Sequence, residues 1–120
     1  MFQTEMTNGI PEVKAENLAD FLKDHDGPLR LIDVRRPDEY SGELGHIEGA
    51  TLITLGPDLQ AYLEKGATEN FKNETIVFIC RSGGRSGQAT MFSQQLGYTQ
   101  VYNMQGGMLR WNDLKLPIQF

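Results

Sequence analysis

Thr75-Ile76-Val77-Phe78-Ile79, followed without a break by Cys80-Arg81-Ser82-Gly83-Gly84-Arg85-Ser86, is the stretch that decides the architecture. Its first five residues favour strand, and Ile76 to Ile79 show no apolar–polar alternation. A strand of that kind is covered on both faces, as in the middle of a parallel sheet. From about Arg85 the period changes. Ala89, Phe92, Ser93 and Leu96 fall on one helical face, and Gly97 stands where a left-handed residue ends the helix. The order is therefore strand, glycine-rich loop, helix.

The same alternation extends in both directions. Residues 10–13 read as a short edge strand. Ala15, Leu18, Ala19 and Leu22, with Phe21 beside them, have helical spacing, and Asp26-Gly27-Pro28 stops that helix. Leu29 to Val34 reads as a strand. Pro37 opens a short helix with Asp38 and Glu39 near its positive end. Gly42, Gly45 and Gly49 mark a turn-rich passage before a strand at Ala50 to Ile53. Pro57 starts a helix with Leu59, Tyr62 and Leu63 inside, closing near Gly66, and residues 67–74 form a polar connection. Downstream, Val101-Tyr102 offers a last short strand. Gly106-Gly107 turns into a helix carrying Met108, Leu109 and Trp111, with Pro117 beyond it; Met108 and Trp111 read as core. Strands alternating with helices predict an α/β fold, a mostly parallel central sheet flanked by helices on both faces. The expected organisation is a flexible N-terminal arm at 1–9 and one domain at 10–120, long enough to bury a single core.

Composition narrows the function. Of 120 residues, 39% are hydrophobic and 22% charged, a globular balance. The net charge is −5 and no basic stripe is visible, so a nucleic-acid partner is not expected. No apolar run approaches the ~20 residues of a membrane span. Met1 to Gly9 has neither a basic cluster nor an apolar core and does not read as a signal peptide. The single cysteine excludes an internal disulfide and a zinc site of several thiolates, and His25 and His46 are too few for a convincing metal cluster. A lone thiol suits a reducing compartment, so a cytoplasmic location is expected.

The chemistry concentrates at residues 80–86. In open α/β sheets ligands sit beyond the carboxyl ends of the strands, where Cys80 lies. Gly83 and Gly84 permit positive φ, so the backbone can fold into a cup with its N–H groups inward. The following helix adds the partial positive charge of its first turn, and Arg81 and Arg85 add two full charges. Together these favour thiolate over thiol at Cys80, and the same cup would hold an anionic substrate or a charged sulfur adduct. A cysteine after an apolar strand is ordinarily a small buried hydrophobe, but such a residue needs no glycine pair and two arginines beside it. Ser82 either hydrogen-bonds sulfur or is a small loop residue. Ser86 is expected to support the helix start. Asp33, Arg35 and Glu39 could shape the substrate mouth; the commoner reading is a salt-bridge network anchoring the turn after a strand. His46, in a Gly-His-Ile turn, reads as a hydrogen-bonded structural residue rather than a proton carrier.

Several segments together resemble the single-domain rhodaneses of the sulfurtransferase superfamily. They are Leu31-Ile32-Asp33-Val34-Arg35 with Pro37, Glu39 and Tyr40; Gly45-His46-Ile47 with Gly49-Ala50; Cys80 to Arg85; and Gly106-Gly107 with Trp111 and Leu116-Pro117. The resemblance covers nearly the whole chain from about residue 10. It implies that Cys80 attacks the outer sulfur of a donor such as thiosulfate and becomes a persulfide. A thiophilic acceptor such as cyanide or a thiol would then remove that sulfur. It implies no metal and no organic cofactor, and partners that are small sulfur anions, low-molecular-weight thiols, or a protein persulfide donor or acceptor. Arg81 and Arg85 would attract the donor while the backbone N–H groups of residues 82–86 hold the charged sulfur. Four residues separate Cys80 from Arg85. The related cysteine phosphatases and arsenate reductases use five, a wider cup for a tetrahedral oxyanion. A non-catalytic binding or redox-sensing module is the reading from a different class.

Overall fold

β5 (Thr75–Ile79) is the central strand, and all five of its residues are buried. The structure, a computed structural model, describes residues 2–24 and 27–120. Around β5 the chain lays down β1 (Glu5–Thr7), β2 (Ile10–Lys14), α1 (Ala15–Asp24), β3 (Arg30–Asp33), α2 (Pro37–Tyr40), β4 (Thr51–Leu52), α3 (Pro57–Thr68), α4 (Gly84–Gln95), β6 (Gln100–Gln105) and α5 (Gly107–Asp113). The sheet order is β1-β2-β6-β5-β3-β4. Every pairing is parallel except β1 with β2.

The alternation of a strand explains why β5 is apolar from Ile76 to Ile79, while Thr75 at its start donates its hydroxyl to Gln100 Oε1 at 3.0 Å. Val77 and Ile79 join a core with Leu18 of α1 and Met108 and Trp111 of α5. Ile76 and Phe78 face the other way, into a core with Leu59 and Leu63 of α3 and Ala89 of α4. Both faces are dry, which favours apolar residues along the strand. Burial of each large side chain contributes roughly 1.5–3 kcal/mol. Gly97 sits at φ 98°, and the N–H groups of Gly97 and Tyr98 return to the carbonyls of Gln94 and Ser93. That closes α4 as expected. Among the described residues no helix is long and apolar enough to cross a membrane.

Several boundaries differ from expectation. The first nine residues are not simply an arm, because β1 lies within them and pairs antiparallel with β2. The turn is Asn8-Gly9 with φ of 53° and 79°, the two positive values that a tight hairpin turn requires. β2 is therefore not the edge of the sheet. β3 and β4 are shorter than expected, while α3 runs on to Thr68. β6 is three times the expected length, because Asn103, Met104 and Gln105 pair in register with Glu12, Val13 and Lys14 of β2. Its polar residues hid that pairing. α1 ends at Asp24; Asp26 of the expected stop lies outside the described residues, as does His25.

Candidate active site

Cys80 follows the last residue of β5, and α4 begins four residues later. Two features shape the loop between them. Gly83 takes φ 109°, which turns the chain into the helix. The start of α5 then grips the loop from outside: Met108 N–H donates to the Cys80 carbonyl at 2.9 Å and Leu109 N–H to the Arg81 carbonyl at 3.0 Å. With those carbonyls held outward, loop N–H groups are free to turn inward. Gly107, at φ 59°, permits this grip, since a Cβ there would collide with the carbonyl groups of Arg81 and Cys80.

The Cys80 side chain is 1% exposed and its flank joins the core with Ile32, Val34 and Phe78. Its sulfur nevertheless faces the loop. Gly83 N–H donates to Sγ at 3.1 Å, and Ser86 Oγ stands 3.2 Å away. Burial pushes the thiol acidity down. The Ser86 hydroxyl and the peptide N–H groups of Ser86, Gly83 and Ser82 outweigh it, leaving the Cys80 pKa below that of an ordinary thiol. A depression of about 330 Å³ lies beside the loop, lined by Arg81, Leu109, Arg35, Leu44, Glu39 and neighbours. Cys80 lies beneath the loop and does not line it.

The two arginines of the loop have different fates. Arg81 is exposed, and among the described residues it has no ion-pair partner. Arg85 is already committed. Its Nη1 and Nη2 grip the two oxygens of Glu39 on α2 at 2.6 and 2.9 Å. The two cations expected at the loop therefore differ in their surroundings, and Arg85 clips the loop to α2. Arg85 holds the Glu39 carboxyl down at about 2, against burial that acts the other way.

A carboxyl whose pKa is depressed on folding stabilises the protein above its unfolded value and loses that effect on acidification. For Glu39 the window runs from its ordinary 4.5 down to about 2. Wild type and Glu39→Gln should therefore differ most in thermal midpoint above pH 5 and converge as pH falls towards 2. A gap that stays constant across the window would show that the Glu39 charge does not hold the loop.

Ser86 lies inside α4 rather than at its cap, which Gly83 occupies, so it does not support the helix start as expected. Its buried hydroxyl serves the sulfur and the Oδ1 of Asn103. The Ser82 side chain is exposed, and only its N–H acts on the sulfur. Asp33 and Arg35 form a fully buried pair, with Nε to Oδ1 at 2.9 Å and Nη2 to Oδ2 at 2.8 Å. Arg35 Nη2 also donates to the Gly45 carbonyl at 2.7 Å, tying β3 to the turn that follows α2. The expected trio is thus split, with Glu39 facing Arg85 instead. His46 is stacked on Tyr40 with ring centroids 3.7 Å apart, and its Nδ1 lies 2.9 Å from the Tyr40 carbonyl.

Two residues behind the loop were not singled out from the sequence. Asn103 Nδ2 donates to the Gly83 carbonyl at 3.1 Å and to Glu12 Oε2 at 2.7 Å. Glu12 Oε1 also accepts from Gln105. Polar residues at 103 and 12, inside otherwise strand-like runs, were the available signal.

Residues 14–114 match the family described as Rhodanese-like domain. The chain is 36% identical over 108 residues to the putative sulfur carrier protein YrkF of Bacillus subtilis, covering 90% of this chain and 54% of that protein. It therefore spans only about half the length of that relative. It is also 36% identical over 86 residues to the thiosulfate sulfurtransferase PspE of Escherichia coli, covering 72% of this chain and 74% of that one. The solution structure of the rhodanese-like domain of the Alr3790 protein from Anabaena sp. superposes with a TM-score of 0.72 at 21% identity, covering 88% of this chain and 76% of the other.

Proposed function

The chain belongs to the rhodanese-like domain family, and from that premise we propose that it is a sulfurtransferase working through a persulfide on Cys80. The observation that carries this reading is the position of the sulfur, which receives the Gly83 N–H at the start of a helix. A nucleophile there is ionised more readily than in water, and a second negative sulfur would meet the same donors.

With thiosulfate as donor, the Cys80 thiolate attacks the outer sulfur. A new S–S bond forms while the S–S bond of thiosulfate breaks, and the electron pair leaves with sulfite. The persulfide keeps one negative charge, so the step balances without an added proton or oxidant. Cyanide or a thiolate then attacks the outer sulfur, taking it as thiocyanate or a new persulfide and returning the Cys80 thiolate. Arg81 draws the donor dianion to the loop. The name of the Escherichia coli relative supports thiosulfate, and that of the Bacillus subtilis relative supports a protein as sulfur partner.

The expected result is a mass gain of one sulfur atom when the protein meets thiosulfate, reversed by cyanide with release of thiocyanate. A protein that stays unmodified across thiosulfate and persulfide donors would defeat the proposal.

A further inference from the structure

Behind the nucleophile runs a buried chain of hydrogen bonds that crosses from α4 to β6 and β2: Cys80 Sγ, Ser86 Oγ, Asn103, Glu12. Its polarity can be read without ambiguity. Asn103 Nδ2 lies against the Gly83 carbonyl and Glu12 Oε2, both acceptors. The amide nitrogen therefore belongs on that side, and Oδ1 faces Ser86. An amide oxygen can only accept, so the hydrogen bond between them uses the hydroxyl proton of Ser86. A serine has one such proton. When it points at Asn103, Ser86 can offer the sulfur only a lone pair, which suits an S–H donor and repels a thiolate. When the sulfur is ionised, the proton must turn to it, and Asn103 Oδ1 is left buried without a donor, which opposes ionisation.

We propose that Asn103 is a positioning residue that competes with the Cys80 sulfur for the single hydroxyl proton of Ser86, so that loss of the thiol proton and rotation of that hydroxyl are one event. The proton leaves Sγ for solvent, the Ser86 O–H swings from Asn103 Oδ1 to Sγ, and no other bond changes. The competition restrains the acidity that the loop would otherwise confer. That restraint is useful, because a thiolate loses intrinsic nucleophilicity as its acidity rises, and the best attacking thiol ionises near the working pH. The charged groups around this unit are the Arg85–Glu39 pair, exposed Arg81, the buried Asp33–Arg35 pair and Glu12 behind Asn103. Among the described residues Ser86 is the only side chain hydrogen-bonded to the sulfur.

The inference rests on Cys80 being the nucleophile, but its test needs no sulfur donor, so it can fail or succeed independently of sulfur transfer. As the sole cysteine, Cys80 reports its own ionisation through the rate of iodoacetamide alkylation against pH. Four proteins are compared: wild type, Asn103→Leu, Ser86→Ala and the double variant. Asn103→Leu should lower the alkylation midpoint by about one pH unit, tenfold in the ionisation constant, when Ser86 is present. It should leave the midpoint in place in the Ser86→Ala background. Equal effects in both backgrounds, or none in either, would overturn the proposal. Should Asn103→Leu not fold, the side-chain amide resonances of Asn103 in wild type decide. They should follow the thiol titration in wild type and cease to do so in Ser86→Ala. Resonances that stay flat through the wild-type titration, or that move alike in both proteins, would equally overturn it.

Discussion

Cys80→Ala is expected to take up no sulfur from any donor and to lose more than about 10³-fold of any transfer rate. The chain holds one cysteine, so no other thiol can stand in. Alanine cannot form the S–S bond on which both half-reactions of the proposed transfer depend. The substitution removes the acceptor of the Gly83 N–H but leaves the scaffold in place, because the grip of α5 on the loop and the Arg85–Glu39 clip do not involve the sulfur. It deletes one buried atom from a core position, which costs roughly 1 kcal/mol. The variant should therefore remain folded, and its inactivity can be assigned to chemistry. Intact-mass measurement after incubation with thiosulfate checks the loading, and thiocyanate release with cyanide checks turnover. Sulfur bound covalently to the alanine variant would rule out residue 80 as the carrier.

Arg35→Leu should be the most destabilising single change near the site, by about 3–5 kcal/mol. It removes three hydrogen bonds to Asp33 and one to the Gly45 carbonyl, leaving a carboxylate with no exposed surface and no counter-charge. Set against a total stability of roughly 5–15 kcal/mol, that is enough to unfold a large fraction of the protein on mild heating. Arg35→Lys should not rescue it, since an ammonium cannot span both oxygens and reach Gly45 as the planar guanidinium does. Replacing both partners, Asp33→Leu with Arg35→Leu, should cost less than Arg35→Leu alone, because no buried charge is left without a partner. Urea unfolding of the three variants measures all of this. A cost below about 1 kcal/mol for Arg35→Leu would show that the pair does not hold β3 to the turn after α2.

How far the sequence could be read depended on whether the causes were local. β5 was legible because its apolar residues can satisfy only a strand buried on both faces. α4 was bounded by its own glycines, Gly83 and Gly97, each at positive φ. The cause of the β1–β2 hairpin is also local: Asn8-Gly9 is a turn signal inside the stretch expected to be an arm. β6 extends beyond the expected Val101-Tyr102 into Asn103 and Gln105, which are unlike strand residues. What pairs them is β2, about ninety residues earlier in the chain.

The order of strands and helices was legible in the amino-acid sequence alone, as was the place of Cys80, at the end of the central strand and ahead of a glycine-turned helix. These follow from apolar period, β-branching and the freedom of glycine, which act over a few residues. The partners of the charges and the protons were settled by three-dimensional packing. That packing tied Arg85 to Glu39, left Arg81 without an ion-pair partner among the described residues, sank Asp33 and Arg35 as a pair, and joined Ser86 through Asn103 to Glu12. The reason is physical: an ion pair or hydrogen bond is chosen by which side chain reaches which in three dimensions. Those partners lie from two to ninety-one residues apart in sequence, a spread that no local pattern encodes.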